Sequence, residues 1–105
     1  MKYKTNKLNK LEKNRYSILV NDMSKCCICG LPHPDINEVF GGRNRLNSIK
    51  YGLCIPLCRN CHIKYHNNRD TQLYFMKKAY NCFIQLYSIN EFKETFRYIK
   101  GLDLF

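Results

Sequence analysis

Two short cysteine pairs, Cys26-x-x-Cys29 and Cys58-x-x-Cys61, constrain this chain more than any other feature in it. Each pair can present two sulfurs from one tight turn, and two such turns complete the closed four-thiolate shell of structural zinc. A disulfide framework is the competing use of cysteine and fits poorly. The chain has seven cysteines, an odd number, and shows no apolar leader segment. The expectation is a reduced, cytoplasmic protein. Cys27 competes with Cys26 as a ligand, but Cys26 keeps the two-residue gap to Cys29, and Gly30 and Leu31 resemble the second half of a zinc knuckle. Cys54 and Cys82 read as buried small hydrophobes.

A metal staple matters at this size, because 105 residues make one domain with a modest core. Positions 30–57 separate the two pairs, more than a simple zinc ribbon needs, so that interval must hold structure of its own. Eighteen Lys and Arg against eight Asp and Glu give a formal charge of +10, a field suited to a polyanion, with nucleic acid the first partner to consider. No run of roughly 18 apolar residues is present, which excludes a spanning helix.

Residues 1–15 hold five lysines, one arginine and a single acid, the composition of a solvated basic arm, with room for a short amphipathic helix around Leu8 and Leu11. Ile18, Leu19 and Val20 suggest a short strand or packing segment that delivers the chain to the first cysteines. The metal-binding domain is expected over 16–69 and a helical part over 70–105. There Asp70 or Thr71 can cap a helix whose apolar residues Leu73, Met76, Tyr80, Phe83, Ile84 and Tyr87 recur mostly at steps of three and four. Ser88 and Glu91 form a capping box for a second helix, with Phe92, Phe96 and Ile99 on one face and Gly101 as its stop. The stripe reads as core packed on the same domain; its alternative use is a homodimer surface.

His62 follows Cys61 directly, and His66 comes four residues later. On a helix leaving the second knuckle this spacing puts both imidazoles on one face, suited to one divalent ion or an ion with a phosphate.

With these residues in place the chain resembles the HNH, or ββα-metal, endonucleases, and specifically their small phage and prophage members. The resemblance is carried by "CCICG", "NEVFGGRNRLNSIKYGL", "IPLCRNCH" and "IKYH", and with "KLEKNRYSI" and the helical tail it covers most of the chain. The cysteine pairs around an interposed hairpin are also similar to phage junction-resolving endonucleases, which work as dimers. The resemblance implies an α+β, zinc-stapled ββα-metal domain in a bacterial host cell, acting on DNA, branched DNA included. It implies a second, catalytic divalent ion, Mg²⁺ or Mn²⁺ with Zn²⁺ as a further candidate. It places His62 and His66 on the helix side of the site and residues 36–40 on the strand side.

One departure stands out. Where small HNH proteins of this kind read "HEVF", this chain reads "NEVF", with Asn37 at the general-base position. Asn takes no proton at neutral pH and is at best a weak oxygen ligand or a positioner of water. Three readings follow: an inactive version in which Asn37 preserves shape; Glu38 acting as base or ligand, with Asp35 a weaker candidate; or a relative that binds DNA without cutting. Ideal alternation puts Asn37 on one strand face with Asp35 and Val39, and Glu38 on the other with Ile36 and Phe40. The loop "GGRNRLNSIKYG" offers Arg43, Arg45 and Lys50 for phosphate contact, with Asn44 and Asn47 as further DNA-side candidates, either of which could be the family's middle asparagine. His33, between two prolines, reads as incidental.

Overall fold

The computed structural model describes residues 15–102. The predicted basic arm, and the helix around Leu8 and Leu11, lie outside the described residues except for Arg15. Over the described range the protein is α+β: strand β1 (Asp35–Glu38), a 3-10 turn (Gly42–Asn44), and helix α1 (Arg45–Lys50) precede strand β2 (Cys54–Leu57). Helices α2 (Arg59–His66), α3 (Arg69–Leu86) and α4 (Ile89–Thr95) follow.

β1 and β2 pair antiparallel, with Asp35 opposite Leu57 and Asn37 opposite Ile55. Val39 N–H donates to Leu53 O at 3.0 Å, so by the alternation of an antiparallel ladder Pro56 sits at a pair whose backbone groups point outward. A residue without an N–H is tolerated there. The outward carbonyls of β2 are used by the N-terminal segment, since Pro56 O accepts from Cys27 N (2.8 Å) and Cys54 O accepts from Ser17 Oγ (2.7 Å). Residues 16–20 are thus the packing segment rather than a strand. Ser17 Oγ also accepts from Leu19 N and Val20 N, turning the chain so that Leu19 is buried. Gly52 permits this path: its φ is +72°, and a Cβ there would lie 2.5 Å from the Tyr16 ring.

The long connection between the strands folds back on itself through Ser48. Its hydroxyl donates to Phe40 O (2.7 Å) and accepts from Phe40 N (3.2 Å), closing the end of β1 onto α1 in a fully buried position.

The C-terminal helices complete one core with the strands. Leu53, Ile55 and Leu57 share a buried cluster with Phe75, Ala79, Phe83, Phe92, Phe96, Ile99 and Leu102. The contact line of α3 is Phe75, Ala79 and Phe83, at i, i+4 and i+8; the predicted Leu73, Met76, Tyr80 and Ile84 flank it half-buried, and Tyr87 is exposed. The cap of α3 is Asn68, whose side chain accepts from Thr71 N at 3.1 Å, two residues earlier than Asp70; Asp70 instead sits in the first turn, where the helix dipole favours an acid. Ser88 caps α4 as expected, accepting from Glu91 N at 3.0 Å.

α4 ends at Thr95, well short of Gly101. The reason is a pair of asparagines reaching from the loop after β1. Asn47 Nδ2 donates to Thr95 O (2.9 Å), and Asn44 forms two bonds with the Arg97 backbone, its Oδ1 accepting from Arg97 N (2.8 Å) and its Nδ2 donating to Arg97 O (3.3 Å). Phe96 is accordingly extended, with φ −103° and ψ 139°. Asn44 is buried, so Asn44→Ala would orphan both backbone groups of Arg97 and is expected to cost about 2–4 kcal/mol of folding stability. Urea unfolding checks this, and a loss below about 0.5 kcal/mol would contradict the clamp.

Candidate functional site

Cys26, Cys29, Cys58 and Cys61 bring their sulfurs within 4.8 Å of one another, a cluster able to hold a structural metal ion such as zinc. The backbone prepares both turns. Cys29 N–H points at Cys26 Sγ (3.5 Å) and Cys61 N–H at Cys58 Sγ (3.4 Å), and Gly30 N donates to Cys26 O (2.9 Å). Gly30 has φ +81°, the left-handed conformation that lets the first turn close. Cys58 is the N-cap of α2, so the second turn runs straight into a helix. Burial opposes ionisation of Cys26, but the surrounding N–H groups outweigh it and hold its thiol at about 6. Burial and the neighbouring sulfurs push Cys61 up to about 12. Four sulfurs this close cannot all ionise unless a cation sits among them, which is the chemistry of a thiolate metal site.

The competing cysteines separate cleanly. Cys27 is half-buried against the core and outside the cluster; burial raises its thiol. Cys54 is fully buried in β2, and burial pushes its thiol up to about 12, as befits an inert core residue. Cys82 packs half-buried against the core, and exposed His33 is likewise no part of the cluster.

The same helix carries both histidines, His62 in its first turn and His66 as its last residue. His66 Nε2 lies 2.9 Å from His62 Nε2, and the rings are 4.7 Å apart between centroids. With each nitrogen at about 2.1 Å from an ion, that separation subtends about 90°, the angle between neighbouring ligands of an octahedral divalent cation. The other nitrogen of His62, Nδ1, lies 3.3 Å from Asp35 Oδ2. A proton on Nδ1 donated to that carboxylate leaves Nε2 with its lone pair facing His66, the arrangement in which a carboxylate orients a metal-binding histidine. Arg59 Nη2 is 3.3 Å from the same oxygen. Asp35, the weaker acid candidate in the sequence, is therefore the acid the fold brings to the histidines. Among the described residues no third His, Cys, Asp or Glu joins the pair closely enough to share one ion. The remaining ligands would be water or a phosphate.

Asn37 sits on the same strand face as Asp35, buried against α2. Its Nδ2 is enclosed and has no hydrogen-bond partner among the described residues. Burial pushes the Tyr65 hydroxyl of α2 up, and the Asn37 amide beside it pulls the other way. The strand and helix sides of the expected site are thus adjacent, but position 37 contributes a neutral, enclosed amide.

Glu38 points to the opposite strand face. Its carboxylate lies 2.6 Å from Arg15 Nη2 and 3.4 Å from Arg45 Nε, with only 14% of the side chain exposed. Held by two guanidinium groups and separated from His62 by the strand, it is an anchor for Arg15 and Arg45 rather than a partner of the histidines. This departs from its candidacy as base or ligand.

The predicted DNA contacts divide in two. Arg43 and Lys50 are exposed on the loop, and Lys50 lies 5.5 Å above the Tyr51 ring. Arg45 is half-buried against Glu38, and Asn44 and Asn47 face the C-terminal segment instead of solvent. Chain spacing could not reveal this, because the partners of both asparagines are backbone groups about fifty residues away. Among the described residues no helix is long and apolar enough to cross a membrane. The chain matches no family model, no curated protein and no solved structure.

Proposed function

We propose that the chain is an HNH-type, ββα-metal domain that grips DNA against a divalent ion at His62 and His66 and hydrolyses phosphodiesters only weakly, because Asn37 stands at the general-base position. The observation that carries this is the pairing of the two Nε2 atoms at 2.9 Å on a helix that issues from a cysteine knuckle, packs on an antiparallel strand pair, and has Asp35 behind it. His62 and His66 would hold the ion, which would supply charge stabilisation to the phosphate under attack. The chain's own residues supply position: Asp35 fixes the His62 ring, and Arg43 and Lys50 attract the backbone. Hydrolysis also needs a group to take the proton of the attacking water, and an amide cannot do so.

A second reading, a DNA-binding or regulatory module that does not cut, is favoured by one observation. Asn37 is enclosed and the Glu38 carboxylate is taken up by two arginines, so neither strand residue offers a base.

The test uses plasmid and four-way-junction DNA with Mg²⁺ or Mn²⁺, comparing the wild-type chain with Asn37→His. The variant is expected to cut about 100-fold faster or more, the usual contribution of a positioned base. Metal content and melting temperature establish that it folds. Equal cutting by both moves the base elsewhere; binding by both without cutting favours the non-catalytic module. Absence of DNA binding would sink both readings.

A further inference from the structure

Of the seven cysteines only Cys29 is exposed. The other three of the cluster are enclosed, Cys26 at 3% and Cys58 at 7% exposure with Cys61 half-buried. Outside the cluster, Cys54 is fully buried and Cys27 and Cys82 pack half-buried against the core. A crevice of about 350 Å³ opens on Cys29, walled by Ile28 and Cys61 together with Lys64, Asn68 and Thr71. Its size and polar walls suit a small polar reagent, and Lys64 brings a positive charge to a crevice where sulfur reacts as the thiolate.

A second sulfur stands directly behind the first. Cys58 Sγ lies 3.4 Å from Cys29 Sγ. Cys58 is buried at the cap of α2, so solvent does not reach it while Cys29 does. An accessible thiolate backed by a resolving thiolate is the arrangement that peroxides oxidise selectively.

We infer that Cys29 is a modification site for hydroperoxides and that its oxidation joins it to Cys58. The inference takes the cluster as a metal site and is independent of any nucleic-acid partner. In the first step the Cys29 thiolate attacks the terminal peroxide oxygen and the O–O bond breaks. The hydroxyl stays on sulfur as a sulfenic acid, and the departing alkoxide, or hydroxide from hydrogen peroxide, takes a proton from solvent. In the second step the Cys58 thiolate attacks Cys29 Sγ, the S–S bond forms, the S–O bond breaks and hydroxide leaves. Two thiolates have lost two electrons, and the peroxide has gained them. Only Cys26 and Cys61 then remain as thiolate donors, half the set a structural zinc needs. Oxidation therefore releases the staple.

The experiment treats the zinc-loaded full chain with hydrogen peroxide at a level that oxidises free glutathione. Zn²⁺ release is followed with a chromogenic chelator, and the sulfurs are mapped by mass spectrometry with and without dimedone, which traps sulfenic acids. Expected are a Cys29–Cys58 disulfide, loss of one equivalent of Zn²⁺, a first dimedone adduct on Cys29, and recovery of the bound ion after a thiol reductant and fresh Zn²⁺. Cys27→Ser and Cys82→Ser keep all four ligands and should release the ion at the wild-type rate. A first adduct on Cys27, Cys61 or Cys82, a disulfide that omits Cys29, or Cys29 joined to Cys26 overturns the inference. Release that slows in either serine variant, or thiols and zinc that survive the peroxide intact, overturns it as well.

Discussion

Protein prepared in the continuous presence of a strong chelator is expected to lose its cooperative unfolding transition and to regain it on addition of one equivalent of Zn²⁺. Apart from a metal, the first cysteine turn is held by an isolated bridge between Lys25 and Pro32, by backbone bonds from Cys26 N to Leu31 O, Gly30 N to Cys26 O and Cys27 N to Pro56 O, and by burial of Cys26 and part of Cys27. The second turn begins α2, an eight-residue helix too short to persist alone in water. A metal joining Cys26, Cys29, Cys58 and Cys61 couples the N-terminal segment to that helix across β2. Structural zinc contributes about 10–16 kcal/mol in zinc-finger peptides near neutral pH, while whole domains are stable by only about 5–15 kcal/mol. Losing the metal can therefore exceed the entire margin. Cys58→Ser should act in the same direction, because it removes a thiolate ligand while leaving a hydroxyl able to cap α2. Since the ligands bind as thiolates, metal-linked stability should also fall as the pH is lowered. Circular dichroism melts with and without metal decide the matter; identical midpoints would show that the cluster is not a staple.

The parts that were legible in the sequence are those in which one local pattern determines the outcome. A two-residue gap between cysteines requires a turn, and both turns formed with Cys26, not Cys27, in the cluster. A step of four residues from one histidine to the next on a helix requires a shared face, and His62 and His66 meet there. Ser88 with Glu91 predicted a cap that formed. Strand alternation separated Asn37 from Glu38, as the opposed surroundings of the two side chains bear out.

What the sequence hid depends on partners distant along the chain. Asn44 and Asn47 look like polar loop residues ready for DNA until the backbone of Thr95 and Arg97 is brought beside them. Asp35 looks like one of several acids near the first knuckle until β1 is laid against α2. Glu38 invites a catalytic role because an acid among apolar neighbours is unusual, and only the fold supplies Arg15 and Arg45 as its reason for being there. The facing line of α3 slipped to Phe75, Ala79 and Phe83 for a related cause. Several stripes fit a helix this rich in apolar residues, and packing against β2 selects among them.

Phe92→Ala is expected to destabilise the protein by about 3–5 kcal/mol, the usual cost of emptying a fully buried phenylalanine site. Phe92 is 0% exposed, and its ring centroid lies 4.7 Å from Phe96, 4.9 Å from Tyr80, 5.4 Å from Phe83 and 5.8 Å from Phe40. These rings come from α3, from the end of β1 and from the segment after α4, so one side chain ties the C-terminal helices to the strand pair. α4 has only seven residues and cannot persist without that packing. Its loss would also release the partners of Asn44 and Asn47. The cysteine cluster draws on none of these contacts, so the variant should still bind one equivalent of zinc under native conditions. Tyr74→Ala, at a site 61% exposed, should by comparison change stability by less than about 1 kcal/mol. Urea unfolding combined with metal stoichiometry distinguishes the possibilities. A Phe92→Ala loss below about 1 kcal/mol would mean that α4 is an appendage, whereas a large loss with zinc retained means that the aromatic cluster and the metal hold opposite sides of one cooperative fold.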